Sequence, residues 1–354
     1  MKKVLCVILA LCLALSLVAC AGGGTKVDDS KKTVGISMPT QDLQRWNQDG
    51  ANMKEKFEAA GYNVDLQYAN NDVATQVSQV ENMIASGDDV LVIAAIEGNS
   101  LGAVLATAKE GNIPVIAYDR LLMETDAVSY YATFDNYMVG TIQGEYVESA
   151  LKLADGGSYN IEFTGGDPGD NNALYFYQGA VDVLQKYIDN GTLTVKSGQT
   201  KFADVATAAW SSETAQARAE AILASNYADG TKLDAWLCSN DSTAQGVVTA
   251  LASSYKGDAP VVTGQDCDIV SVKNILAGTQ SMSIFKDTRT LAEQTVKMVN
   301  QILAGETVDV NNTTDYDNGT GIIKTFLCKP VFADINNYKE LLVDSGYYTA
   351  DQLA

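Results

Sequence analysis

VLVIAA, residues 90–95, is a short apolar run in which no alternate position is polar. A strand buried on both faces has this pattern, and such strands occur in parallel sheets that are covered by helices. Amphipathic stretches with a period near 3.6 lie on either side, at 73–86 and 99–111. The run therefore predicts a buried strand within a βα repeat.

The same alternation continues along the chain from residue 33. The first series predicts strands at 33–38, 62–69, 90–95, 114–119 and 128–134. The second series predicts strands at 159–165, 192–197, 234–239 and 260–264, followed by two more at 281–285 and 322–327. Because βα units connect through right-handed crossovers, such series give open sheets with helices on both faces. The predicted fold class is α/β, with doubly wound parallel sheets.

The chain begins with MKKVLCVILALCLALSLVAC, in which two lysines precede an apolar run that ends in Leu17-Val18-Ala19-Cys20. The run is short for a bilayer span, and small residues before a cysteine suit a lipoprotein signal peptidase. We predict a signal peptide over 1–19, a lipidated Cys20 and a flexible tether over 20–32. The mature protein would be exported and held by acyl chains on the extracytoplasmic face, in the periplasm or at the cell surface. The alternative is an ordinary signal peptide with a chance cysteine.

Composition excludes some partners. The 354 residues carry a formal net charge of -20 and have a pI near 4.3, so no basic surface for nucleic acid or an anionic bilayer is expected. The length suggests two domains. Cys238, Cys267 and Cys328 are predicted to be buried thiols, with a Cys238–Cys267 disulfide as the alternative.

The chain contains no histidine. This removes the commonest general base and most zinc and iron sites, so no cofactor or metal is predicted.

The G-x-S-x-G pattern at 98–102 lacks a usual base for Ser100, and a glycosidase would have to use Asp170 and Asp266. The acidic stretch 306–321 leaves weak ion binding as an alternative. Without histidine, ligand affinity should not change between about pH 5.5 and 8.

Polar side chains follow the predicted strands, at the edge where open α/β sheets bind ligands. They are Arg45, Asp119, Arg120, Asp170, Asn172, Asn240, Asp266 and Lys286. Helix capping is the better explanation for Asp135, Asn171 and Asp241. The remaining set suits a saccharide, because each sugar hydroxyl both donates and accepts hydrogen bonds.

Aromatic side chains fit the same ligand. The C–H faces of a pyranose are apolar and prefer a flat ring, for which Trp46 and Trp210 are candidates. Trp236 lies inside an apolar run and is predicted to be core. The cluster 175–177 has helical spacing and is predicted to pack, although one of its rings can reach the cleft.

Several long, rare signatures then stand out along the chain. They are GISMPT (35–40), QRW (44–46), VLVIAAIEG (90–98), VIAYDRL (115–121), YYATFDN (130–136), GGDPGDNNA (165–173), ETAQAR (213–218), TGQD (263–266), IFKDTR (284–289) and DSGYYTADQL (344–353). Together they resemble the periplasmic sugar-binding proteins of ABC transporters, closest to the xylose-binding and multiple-sugar-binding branch. The departures are small: Thr263 replaces a usual serine, and Cys238 and Cys267 stand where small residues are common.

The resemblance implies a ligand set and a fold. One sugar would be held by Arg45, Asp119, Arg120, Asp170, Asn172, Asn240, Asp266 and Lys286, with Trp46 and Trp210 over its faces. The implied fold, that of a type I periplasmic binding protein, has two doubly wound lobes joined by a three-strand hinge near 134–136, 283–286 and 324–328. The N-terminal lobe would hold 33–134 and 287–323, and the C-terminal lobe 136–283 and 324–354.

The implied function is non-catalytic. A monomeric protein would capture a monosaccharide of the xylose or glucose type by hinge closure, and would deliver it to an ABC permease and its ATPase. The alternative is a sensory role in which the loaded lobes dock on a chemoreceptor or sensor kinase. A repressor-type effector domain would need a basic helix-turn-helix where the export signal lies.

Overall fold

A six-stranded parallel sheet forms from the first series of strands in the structure, a computed structural model that describes residues 30–354. Its strands are β1 (Thr33–Met38), β2 (Asn63–Tyr68), β3 (Val90–Ile93), β4 (Val115–Tyr118), β5 (Val128–Phe134) and, late in the chain, β11 (Thr325–Cys328). They lie in the order β11-β5-β4-β3-β1-β2. The helices of this part are α1 (Gln44–Ala59), α2 (Val73–Ser86), α3 (Gly102–Glu110) and α10 (Thr288–Ala304).

A four-stranded parallel sheet forms from the second series. Its strands are β6 (Tyr159–Thr164), β7 (Leu193–Thr194), β8 (Ala235–Cys238) and β9 (Val261–Val262), in the order β7-β6-β8-β9. Its helices are α4 (Asn136–Leu151), α5 (Asn171–Asp189), α6 (Phe202–Val205), α7 (Ser212–Asn226), α8 (Asp241–Ser254) and α9 (Ile269–Ala277). Strand β7 is shorter than predicted because Ser197 leaves the ladder, and its N–H and hydroxyl both donate to the buried Glu162 carboxylate.

Three connections run between the two parts of the fold. Strand β5 leads to α4, β10 (Met282–Phe285) leads to α10, and β11 leads to β12 (Val331–Asp334). Strands β10 and β12 pair antiparallel, and a bridge between Gln265 and Ile284 joins β10 to the end of β9. The chain closes with a helical turn at Lys339–Asp344 and α11 (Ala350–Leu353).

Strand β11 corrects one predicted boundary. The sequence placed 324–354 in the C-terminal lobe, but Thr325–Cys328 pairs in parallel with residues 131–134 of β5. The Asp135 N–H continues this ladder by donating to the Cys328 carbonyl oxygen at 3.0 Å. Because this backbone pairing fixes β11 at the edge of the first sheet, the crossing follows Cys328.

Both faces of each sheet are covered, which confirms the predicted α/β fold class. On β3, Val90 and Val92 join the apolar cluster with α1 and α10, whereas Leu91 and Ile93 join the cluster with α2 and α3. This is the two-residue period of a strand buried on both faces, and each such side chain contributes about 1.5–3 kcal/mol. Trp236 on β8 is fully buried in a further cluster, which confirms it as core.

The cysteines fall into two groups. Cys20 and the predicted signal peptide lie outside the described residues. Cys238, Cys267 and Cys328 are buried free thiols, so the alternative Cys238–Cys267 disulfide is not formed.

Across residues 30–354, no helix is both long and apolar enough to cross a membrane.

Candidate functional site

A cleft lies at the carboxyl ends of strands from both parts of the fold, and its open volume, mouth included, is about 410 Å³. The residues that line it are Leu43, Arg45, Trp46, Asp119, Arg120, Asp170, Phe176, Trp210, Asn240, Gln265, Asp266, Asp268 and Lys286. They include every predicted ligand residue except Asn172. The edge of the sheets at which the sequence placed a ligand is therefore the edge at which the cleft lies.

Arg45 connects the two parts of the fold. Its Nε donates to Asp49 Oδ2, one helical turn further along α1, at 2.9 Å. Its Nη2 donates to Asp119, which follows β4, and its Nη1 donates to Asp266 Oδ1, which follows β9, at 3.3 Å. Burial lowers the pKa of Arg45, but the three carboxylates more than offset this and raise it well above the usual value. The guanidinium is thus a permanent cation at the centre of the cleft.

Lys286 is the second cation of this network. Its Nζ lies 3.0 Å from Asp266 Oδ1 and 4.0 Å from Asp119 Oδ1, and its side chain is 2% exposed. Burial acts to raise the pKa of Asp119, yet Arg45, Lys286 and Arg120 together lower it. Asp119 therefore accepts hydrogen bonds as a carboxylate throughout the neutral range.

Asp119 has a strained backbone conformation that its contacts stabilise. Its φ of 58° lies in the left-handed region, which is uncommon for a residue other than glycine. Its carbonyl oxygen accepts three hydrogen bonds, from Tyr131, from Thr133 Oγ1 at 2.9 Å and from Asn172 Nδ2 at 2.6 Å. Asp266 and Trp210 share this feature of the cleft, with φ values of 98° and 55°. Three cleft residues thus adopt strained conformations, and hydrogen bonds to its carbonyl oxygen hold Asp119 in place.

Asn172 is the predicted ligand residue that does not reach the cleft wall. It is 1% exposed and lies behind Asp119. Its Oδ1 accepts from Asn136 Nδ2 at 3.0 Å. Because both ends of its amide are engaged by protein groups, Asn172 positions Asp119 in this structure.

A further ion pair lines the cleft. Arg120 Nε lies 3.0 Å from Asp170 Oδ2, and Arg120 Nη1 donates to the carbonyl oxygens of Ala95 and Ile96 at 3.0 and 3.2 Å. Asp170 also caps α5, because its Oδ1 accepts from the Asn172 N–H at 3.0 Å. Burial raises the pKa of Asp170 despite the opposing effect of Arg120. Asp170 is therefore a helix cap and a cleft residue at once.

Aromatic rings provide the flat surfaces. The guanidinium carbons of Arg45 and Arg120 lie 5.1 and 5.0 Å from the Trp46 ring centroid. Phe176 and Trp210 have ring centroids 6.2 Å apart, and the Trp210 Nε1 is buried with no hydrogen-bond partner within residues 30–354. The cleft therefore combines apolar faces with a free indole donor.

Neither Gln265 nor Asp268 was among the ligand residues predicted from the sequence, and Asp241 was predicted to be a helix cap. Asn240 is the cap of α8, where its Oδ1 accepts from the Thr243 N–H at 2.9 Å. Asp241 is not the predicted cap, because its buried carboxyl accepts from the Ser283 hydroxyl and from the Asp268 N–H instead. Asp268 could have been identified as a cleft residue from its position, two residues after Asp266 and beyond the end of a strand.

The remaining motifs show no catalytic arrangement. Ser100 of the G-x-S-x-G pattern donates to the Glu97 carbonyl oxygen at 2.8 Å. In the part of the chain from residue 30 onwards, no cluster of three or more Cys, Asp or Glu side chains is arranged to hold a metal ion. The arrangement as a whole offers fixed donors, fixed acceptors and apolar faces, which is suited to holding a polyhydroxylated ring.

Comparisons with known proteins show the family of this chain. Residues 34–307 match the family described as periplasmic binding protein domain. The chain is 49% identical over 341 residues to the multiple sugar-binding periplasmic protein SbpA of Azospirillum brasilense, covering 95% of each chain. It is 33% identical to the D-xylose-binding periplasmic protein of Escherichia coli, covering 99% of this chain and 100% of that one.

A solved structure extends the comparison. An ABC transporter solute binding protein from Clostridium phytofermentans, with bound beta-D-glucose, is 67% identical with a TM-score of 0.90. The match covers 91% of this chain and 100% of that one. The resemblance seen in the sequence is thereby confirmed, and the chain belongs to the periplasmic binding protein domain family, in its branch of sugar-binding proteins of ABC transporters.

Proposed function

We propose that this chain is an extracytoplasmic solute-binding protein that captures a monosaccharide of the glucose or xylose type and delivers it to an ABC permease and its ATPase. The observation that carries the proposal is the network of Arg45, Asp119, Asp266 and Lys286, which joins both parts of the fold around one cleft. A sugar that meets this network gains charge-assisted hydrogen bonds from both sides. The 67% identical relative with bound glucose supports this ligand class.

Closure is the proposed mechanism. Residues 33–134 and 287–328 would form one lobe, and 136–283 with 331–354 the other. The pairing of β11 with β5 supports this boundary after Cys328. Arg45 contacts Asp266 across this division, so the two lobes are held together by the same groups that would bind the sugar. A permease that recognises the closed form would then receive only loaded protein, as a monomer.

We expect binding without turnover. D-glucose at ~100 times its dissociation constant should stabilise the protein by roughly 2.7 kcal/mol in a thermal-shift experiment, and NMR should recover the sugar unchanged. L-glucose is the matched control and should not shift the melting temperature, because its hydroxyls are mirror images. If D-glucose, D-xylose and related monosaccharides all leave the melting temperature unchanged, the ligand class is wrong. Consumption of sugar in proportion to protein would show an enzyme.

The proposal includes a lipid anchor at Cys20. Cys20→Ala should leave the protein as a precursor or release it from the membrane fraction, because acylation needs the Cys20 thiol. Cys12→Ala, which changes a cysteine within the same apolar run, is the control and should stay membrane-bound. Cell fractionation with immunoblotting measures both. A Cys20→Ala protein that is processed and still sediments with membranes contradicts the anchor.

A further inference from the structure

Asp268 lines the cleft, although it was not among the ligand residues predicted from the sequence. It immediately precedes α9 and is 9% exposed. Its backbone N–H donates to Asp241 Oδ2 at 2.8 Å, which fixes the residue against α8. Its Oδ1 is buried and has no hydrogen-bond partner among residues 30–354. A buried polar atom without a partner is unfavourable, so Asp268 Oδ1 has an unmet capacity for a hydrogen bond beside the cleft that this residue lines.

The surroundings of Asp268 hold more carboxyl groups than cations. The titratable groups that face it are Asp241 of α8, Asp266 and Cys267 of its own loop, Arg45 of α1, Lys286 beyond β10 and Tyr348 of the C-terminal segment. Asp49, Asp119, Asp170 and Arg120 belong to the same network of charges around the cleft. With Asp268 itself, six carboxyl groups therefore share three cations, which is too few cations to pair each carboxyl group.

The cations are already engaged by other carboxylates. Arg45 contacts Asp49, Asp119 and Asp266, Lys286 contacts Asp266, and Arg120 contacts Asp170. In the described part of the chain, no lysine or arginine forms a salt bridge with Asp268. A buried carboxyl group without a cation is disfavoured in its ionised form, because burial removes its hydration.

The start of α9 does not supply the missing stabilisation. A helix N-terminus favours a carboxylate when the side chain accepts from the first N–H groups. The Asp268 side chain makes no such bond, so it does not cap α9 and remains available to the cleft. The Ile269 N–H of the same turn donates to Gln44 Oε1 of α1 at 3.1 Å.

We propose that Asp268 is a further ligand-binding residue. In the closed cleft it is a neutral carboxylic acid, and its O–H donates a hydrogen bond to an oxygen atom of the bound sugar. The inference rests on the proposed function, because it needs a neutral sugar in the cleft. Asp119 and Asp266, which are paired with cations, supply acceptors, and Asp268 adds a donor to the cleft that all three residues line. Its second effect is to couple sugar binding to proton binding.

The direction of this coupling follows from the two states. Burial, together with the charge of Asp266, raises the pKa of Asp268 to about 7 against the opposing effects of Arg45 and Lys286. Donation to a sugar oxygen favours the neutral form and raises the pKa further in the complex. The affinity for sugar is therefore highest below the pKa that Asp268 has in the free protein. Above that pKa the affinity falls by about tenfold per pH unit, until the pH reaches the pKa of Asp268 in the complex. This replaces the flat profile expected from the absence of histidine.

The test is isothermal titration with D-glucose from pH 5.5 to 8.5, in pairs of buffers that differ in ionisation enthalpy. We expect the wild-type protein to take up close to one proton per glucose near pH 8 and almost none near pH 5.5. Asp268→Asn keeps the shape and a donor amide but cannot ionise, so its affinity should be independent of pH and its proton uptake zero.

Asp88→Asn is the matched control. Asp88 precedes β3, at the opposite end of the strand from the cleft, and burial raises its pKa to about 7 as well. This variant should keep the wild-type proton uptake. Glucose binding with no proton uptake by the wild-type protein, or unchanged uptake by Asp268→Asn, overturns the inference and leaves the proposed function intact. Failure of the wild-type protein to bind any monosaccharide at any pH overturns the proposed function itself.

Discussion

Replacing Asp266 by alanine is expected to weaken glucose binding by about 2 to 5 kcal/mol, or roughly thirtyfold to a few thousandfold. The Asp266 carboxylate contacts Lys286 Nζ at 3.0 Å and Arg45 Nη1 at 3.3 Å. Without it, Lys286 loses its nearest anion inside a closed cleft, and the sugar loses an acceptor. Both losses fall on the bound state, where water cannot replace the carboxylate.

The backbone at Asp266 calls for a second variant. Its φ of 98° is unfavourable for alanine, so part of any effect of Asp266→Ala would be strain. Asp266→Gly removes the same carboxylate and tolerates this φ. Calorimetric titration of both variants, with thermal melting to confirm folding, should show similar losses of affinity. An affinity within about threefold of wild type in folded Asp266→Gly would show that the carboxylate does not bind the sugar.

Trp236→Ala should lower the free energy of unfolding by about 3–5 kcal/mol, the cost of emptying a large buried site. The indole is fully buried between α7, α8 and β8, and its Nε1 donates to Thr164 Oγ1 at 2.8 Å. The remaining folded protein should bind glucose with near wild-type affinity, because Trp236 does not line the cleft.

Urea unfolding measures this effect, and Trp236→Phe is the control. Phenylalanine keeps most of the volume and removes the hydrogen bond to Thr164, so it should cost about 1–2 kcal/mol. A large loss of glucose affinity in folded Trp236→Phe, with little change in stability, would contradict the assignment of Trp236 to the core.

The cleft was largely predictable from sequence because its position follows from topology. Once alternating strands and helices are recognised, the residues directly after the strands must meet at one edge, and Asp119 and Asp266 were found in this way. Asn172 was assigned to the site in the same way and by the resemblance to sugar-binding proteins, but its amide instead holds the Asp119 carbonyl oxygen. Local position identified which residues are near, but not what each one contacts.

The missed features depend on distant parts of the chain. Asp241 was predicted as a cap, but its partner Ser283 lies forty-two positions further on. Asp268 approaches the cleft after two consecutive residues of positive φ, Asp266 and Cys267, which turn the chain before α9. Neither local periodicity nor an unperturbed pKa value shows that a carboxyl group will be buried without a cation.

The left-handed backbone at Asp119, Trp210 and Asp266 has a consequence for anyone who wishes to convert this protein into a reporter for another sugar. At these positions a β-branched or bulky replacement carries conformational strain before it meets any ligand, so randomised libraries there will be dominated by poorly folded members. Gln265 and Asp268 also line the cleft but have ordinary backbone conformations. Selectivity should therefore be easier to redesign at these two positions than at the three strained ones.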